Sequence, residues 1–298
     1  MDGGGETHLT PGRRAQRSLR TAVACLIVGI SAATAIAEPS ELFDDWFSRN
    51  RPGLDVLGAE SLSAEDDAPR IPEPMVFDLV RPLGAKQGEA EVNVLALIPL
   101  NRRVGTTSIP GPIGIVSRNG HETEWAPEVE FALWDGVAFE FEVPFEGSTL
   151  AAYKAAAQIT FGTAFDKRYI HGAQGILLYD THSRNWSPTL LYLAGIEFDE
   201  HFSMLAMAGF RTEFNNDEVA ERTERLLNAT LFYHVNEQVT LGFESVFAHS
   251  LSGASDLLLM PQVHWEINDY TMLQAGVGVN MNQDYSLPQA GLRFIVSY

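Results

Sequence analysis

The stretch Glu128 to Glu146, EVEFALWDGVAFEFEVPFE, alternates in twos along its whole length. Val137, Phe139, Phe141, Val143 and Phe145 fall on one side, and Ala138, Glu140, Glu142, Pro144 and Glu146 on the other. A pleated strand sorts that period onto two faces; a helix does not. Val129, Phe131 and Leu133 stand the same way against Glu128, Glu130 and Ala132, and the two runs meet at Asp135-Gly136. Asp-Gly between alternating runs specifies a type I′ hairpin, because both central residues need positive φ. The hairpin therefore has one apolar and one acidic face, and the fold depends on whether protein or lipid covers the apolar one.

The same period recurs from Glu89 to the last residue. It predicts strands at 89–99, 128–134, 137–146, 150–165, 169–180, 188–198, 202–214, 223–235, 239–249, 257–267, 271–282 and 289–298. Tight turns at Asp135-Gly136, Asp166 to Arg168, Asp199 to His201, Asn236 to Gln238 and Asn268 to Tyr270 alternate with longer polar links. The longest link runs from Asn101 to Pro127; Glu146 to Thr149, on the long side, is shorter than its neighbours. Short turns at one end and long loops at the other, with an even strand count, are the arrangement of an outer-membrane barrel whose short side is periplasmic. A two-sheet sandwich shows the same alternation. Strand length separates the two, because these strands exceed the usual length of about 5–6 residues and match the roughly 9–11 that cross a bilayer at a tilt. The predicted fold is all-β: a transmembrane antiparallel up-and-down β-barrel of about 12 strands over residues 89–298. Trp134, Tyr169, Tyr270 and Tyr298 on the short side, and Trp125, Tyr179, Trp186 and Tyr285 on the other, sit where interfacial aromatic girdles belong.

The N-terminus has the parts of an export signal. Arg13, Arg14, Arg17 and Arg20 precede the apolar run Ala22 to Ala33, and Ala35-Ile36-Ala37 offers a small-x-small cleavage site. Residues 1–37 read as a signal peptide, and the single cysteine, Cys25, lies inside it. The remaining chain has no thiol for a disulfide or a metal. Losing four Arg, Asp2 and Glu6 moves the formal charge from −19 to −21, which excludes nucleic acid as a partner, since that needs clustered Lys and Arg. Residues 38–88 hold Pro39, Pro52, Pro69, Pro72 and Pro74 and the acidic run Glu65-Asp66-Asp67. They read as a periplasmic N-terminal extension, partly disordered or acting as a plug, with a short amphipathic helix after Ser40.

The last ten residues, Gln289 to Tyr298, end on an aromatic residue with Phe294 and Val296 at every second place before it. This resembles the carboxy-terminal signal of Gram-negative outer-membrane β-barrel proteins. The resemblance implies assembly by the barrel-assembly machinery, with Phe294, Val296 and Tyr298 as the recognised residues, and residence in the outer membrane. The hairpin Pro127 to Phe145 is similar to one in the transporter barrels associated with meta-pathway phenol degradation, which implies nothing about the solute.

If the apolar parity faces lipid, the other parity lines the lumen. It holds Glu128, Glu130, Glu140, Glu142, Glu197, Glu213, Glu244 and Glu266 with Lys154, Arg211 and Arg293. That excess of carboxylates favours cations, and twelve strands enclose a narrow or plugged passage. The expected role is passage of small solutes, with outer-membrane lipid as surroundings; the alternative is a non-conducting binding or scaffold protein. His171, His234, His249 and His264 lie on or near strands, with His249-Ser250 near the outer rim, but no nucleophile elbow frames a serine. No His accompanies Glu140 and Glu142 at ligand spacing. Neither catalysis nor a cofactor nor a metal is expected.

Overall fold

The computed structural model describes residues 69–77, 79–100, 122–214, 223–283 and 286–298, and the backbone of 109–110 and 116–117. The export signal and the helix after Ser40 lie outside the described residues. Twelve long strands are described: β1 (Ala90–Pro99), β2 (Glu124–Trp134), β3 (Val137–Glu142), β4 (Ala152–Ala164), β5 (Tyr169–Asp180), β6 (Trp186–Glu197), β7 (Phe202–Thr212), β8 (Thr223–His234), β9 (Val239–Ser250), β10 (Ser255–Asn268), β11 (Thr271–Asn282) and β12 (Ser286–Ser297). Each pairs antiparallel with its neighbours in sequence, and β12 pairs with β1 from Glu91↔Ser297 to Pro99↔Gln289. The sheet thus closes on itself and leaves no edge among the long strands.

Several predicted strands have other bounds, and β2, read from 128, begins at Glu124, within the stretch read as the long link to Pro127. The strand read at 137–146 stops at Glu142, and the one read from 150 starts at Ala152. Pro144 has no N–H to give the ladder, and its carbonyl instead accepts the N–H groups of Ala151 and Ala152. Phe145–Glu146 folds back on Thr149–Leu150 and pairs with Glu124 and Trp125 of β2. The Phe145 ring stacks on Trp125 at 4.4 Å. The short link on the long-loop side is therefore a small hairpin laid against the end of β2. The final strand begins at Ser286, three residues earlier than read, and takes Pro288 within it.

Alternate residues of every strand face outward. Val94, Val129, Phe141, Leu177, Leu190, Phe210, Leu227, Phe243, Val277, Leu292 and Phe294 are all exposed, Val277 to 60% and Phe294 to 47%. A band of bare apolar side chains around a closed sheet has no stable place in water, and it is the surface a bilayer requires. Tyr270, Tyr298 and Trp186 stand exposed at the ends of the band.

Candidate functional site

The inward-facing residues divide the wall in two. From β12 through β4 they include Arg293, Glu91, Asn93, Glu128, Glu130, Glu140, Glu142, Lys154 and Gln158, all buried except the partly buried Glu128. From β5 through β8 they include the buried Ile170, Ile176, Leu178, Leu191, Leu193, Leu205, Met207 and Phe232, with the uncharged Gln174, Thr189, Ser203, Asn228 and Thr230 among them and, among the described residues, no buried charged side chain. The sequence pattern predicts small, polar or charged residues on the inner face, and the structure differs: a barrel interior wet throughout would not be lined with Leu and Phe on one side.

Residues 71–85 explain the difference. Ile71 lies against Gly195 and Ile170, close to the short-turn end. Met75 reaches Gly276 and Gly291, halfway along their strands. The segment then returns to the short-turn end, where Gly136 donates to the carbonyl of Ala85 at 2.8 Å. It is a re-entrant loop inside the barrel. Ile71, Phe77, Leu79, Val80, Leu83 and Ala85 form one buried cluster with the apolar wall, while Met75 and Val76 pack with Leu95, Leu97, Leu258 and Met260. A Cβ at Gly291 would fall 2.5 Å from Met75 Cε, so the small residues of β11 and β12 are the space the loop occupies.

On the other wall the loop brings Glu73 and Arg81. Arg81 Nη1 lies 2.5 Å from Glu91 and 3.8 Å from Glu130. Arg293 meets Glu128 at 2.7 Å, Glu130 at 3.1 Å and Glu73 at 3.6 Å. Asn93 donates to Glu91 and Glu130. With Glu89, more exposed and 3.5 Å from Arg81, five carboxylates thus share two guanidinium groups, a fork geometry that suits Arg. Beside them Lys154 pairs with Glu140 at 2.9 Å and with Glu142. Oxygens of Glu73, Glu91 and Glu130, and of Glu128, Glu130 and Glu140, approach within 4.8 Å of one another, near enough to share an ion. Arg81, Arg293 and Lys154 already stand among them.

The expected lumen residues separate into groups. Glu128, Glu130, Glu140, Glu142, Lys154 and Arg293 come together on the charged wall. Glu244 stands apart on β9, buried, and accepts the N–H groups of Met75, Val76 and Phe77 at 3.1, 3.1 and 2.7 Å. Arg211 pairs with Glu224 at 2.6 Å near the long-loop end, and Glu213 just beyond β7 accepts from Asn185. Glu197 is part-exposed and Glu266 exposed, both near the short-turn end of their strands. Phe294, Val296 and Tyr298 face outward on β12 and at its end. Glu73, Glu91, Arg81, Gln174 and Gln274 belong to the site and were missed. Glu91 and Gln274 were legible from strand parity, whereas Glu73 and Arg81 carry no periodic signal.

His264 is buried beside Phe232 and Gln274, and His234 bonds Thr240 at 3.0 Å. His171 and His249 share the parity of the exposed residues on their strands and face outward. His171 joins Tyr192 and Tyr169 in an outer cluster. His249 bonds Ser255 at 2.8 Å, whereas Ser250, its neighbour in sequence, points inward.

No protein-family model matches the sequence, and no curated protein matches it. Solved structures do match. A crystal structure of an outer membrane channel from Pseudomonas putida F1 aligns with a TM-score of 0.53 at 11% identity, over 76% of this chain and all of the other. The NanC porin aligns at 0.51 and 9% identity, over 70% of this chain and 98% of the other. At such identities the fold is what is shared.

Proposed function

We propose that this protein resides in the outer membrane of a Gram-negative bacterium and gives passage to small solutes, with residues 71–85 closing the passage in the conformation described. The observation that carries this reading is a closed barrel, apolar outside, whose interior is filled by the chain's own loop rather than by inward-facing side chains alone. Export by residues 1–37 and insertion by the barrel-assembly machinery through Phe294, Val296 and Tyr298 belong to the same reading. The short-turn end then faces the periplasm. With the loop displaced, the carboxylates of the charged wall outnumber its cations and favour cations in transit.

One observation favours the alternative of a non-conducting binding or scaffold protein. Between the loop and the charged wall lies a water-sized gap, lined by Phe77, Leu79, Leu95, Glu128 and Glu142 among others. Planar bilayers separate the two. The channel reading expects wild type to conduct rarely and Glu73→Ala/Arg81→Ala to conduct steadily with cation preference. Glu140→Gln/Glu142→Gln added to that variant should lower the preference. A folded double variant that never passes current contradicts the channel and leaves the scaffold.

A further inference from the structure

The wall addresses the loop chiefly through main-chain atoms. Glu244 takes three consecutive N–H groups, the convergent donor arrangement of an anion-binding nest, and is itself steadied by Gln262 at 3.2 Å. Gln174 accepts the N–H of Val80 at 3.3 Å and Thr160 that of Gly84 at 2.9 Å. Gln158 donates to the carbonyl of Arg81 at 2.7 Å, Arg293 to that of Pro74 at 3.2 Å, and Gln274 to that of Glu73 at 3.4 Å. All but Thr160 are buried. Groups that only kept a lumen wet would face solvent or one another; these are aimed at peptide units at successive positions along one chain.

We propose that the lumen is a peptide-binding site. Its ligand class is a polypeptide that bends back on itself, with an acidic residue near one end, an arginine eight positions on and mostly apolar residues between. Residues 71–85 are the ligand held in cis, and a second peptide of that pattern, entering from the short-turn end, takes the same place when the resident loop is weakened. The amide contacts are common to every peptide. Selectivity comes from the charged wall reading the two ends and the apolar wall reading the middle. Binding does not require conduction, so this inference goes beyond the channel reading and can survive its loss.

The test weakens the loop and leaves every wall side chain intact: full-length Glu73→Ala/Arg81→Ala, with Leu79→Ser as a second variant should the first fail to fold. A fluorescent synthetic peptide of residues 70–85 is titrated against each folded variant in detergent and against wild type. Saturable binding at least tenfold tighter to the variant than to wild type is expected, because the intact loop competes. N-methylation of the peptide at the positions of Met75, Val76 and Phe77 should weaken binding at least tenfold, since Glu244 then loses its donors. Absence of saturable binding, or equal binding of the methylated peptide, overturns the proposal. Bilayer current recorded in parallel separates the readings. A variant that binds peptide without ever conducting removes the channel and keeps the peptide site; one that conducts but does not bind peptide does the reverse.

Discussion

The strands from β12 through β4 and those from β5 through β8 present the same apolar alternation to the outside, but among the described residues only the first set buries charged side chains on the inside. Glu130, Glu140 and Lys154 line one wall, and Leu191, Leu193 and Phe232 the other. An empty, hydrated lumen would leave the second wall wet, forgoing about 1.5–3 kcal/mol for each large apolar side chain. The difference teaches that an apolar stretch on the inner face marks a filled barrel. The filler has to be two-sided, and residues 71–85 are: Phe77, Leu79 and Val80 join the apolar cluster while Glu73 and Arg81 meet the charged groups.

The comparison can be broken from either side. The largest effect is expected from Arg293→Met, which leaves Glu128, Glu130 and Glu73 without their shared cation. Breaking a buried pair by removing one partner costs about 3–5 kcal/mol, to be read as a lowered unfolding midpoint in urea. Phe77→Ala, against the apolar wall, should cost about 3 kcal/mol and open the 71–85 segment to added protease while the barrel stays folded. A barrel unfolding together with the loop would instead make the two walls one cooperative unit. Glu244→Gln keeps the shape and removes the charge that gathers three N–H groups; a loss of about 1–2 kcal/mol with faster proteolysis of the loop is expected. The smallest effect belongs outside both walls. The N–H groups of His201 and Phe202 hold the Asp199 carboxyl below its usual range. A group so depressed stabilises the fold above its unfolded pKa and stops doing so as pH falls through its folded one. The Tm deficit of Asp199→Ala should thus be slight at pH 7 and vanish in acid.

The barrel was legible because its signal is local and repeated. The exact match at 169–180 and 271–282, and the tight turns at Asp135-Gly136 and Asn268 to Tyr270, follow from period and Asx chemistry alone. The end of β3 was misplaced because alternation continues through Pro144 as though the proline could pair. The charged wall was legible from parity at Glu128, Glu130, Glu140 and Glu142, but the approach of Arg81 to Glu130 was not. That contact joins a stretch without periodicity to strands far along the chain. The apolar wall was visible as Leu191, Leu193 and Leu205 on the inner parity, yet small, polar or charged residues were expected there, because inner Leu has no reason to exist until the loop is in place.

Cysteine accessibility tests the filled lumen most directly. In a Cys25→Ser background, Met75→Cys and the exposed control Gln87→Cys are treated with a charged, water-soluble thiol reagent in folded protein. Rapid labelling at 87 and none at 75 until the barrel is unfolded is the expected result; equally rapid labelling at both positions would contradict an interior occupied by residues 71–85.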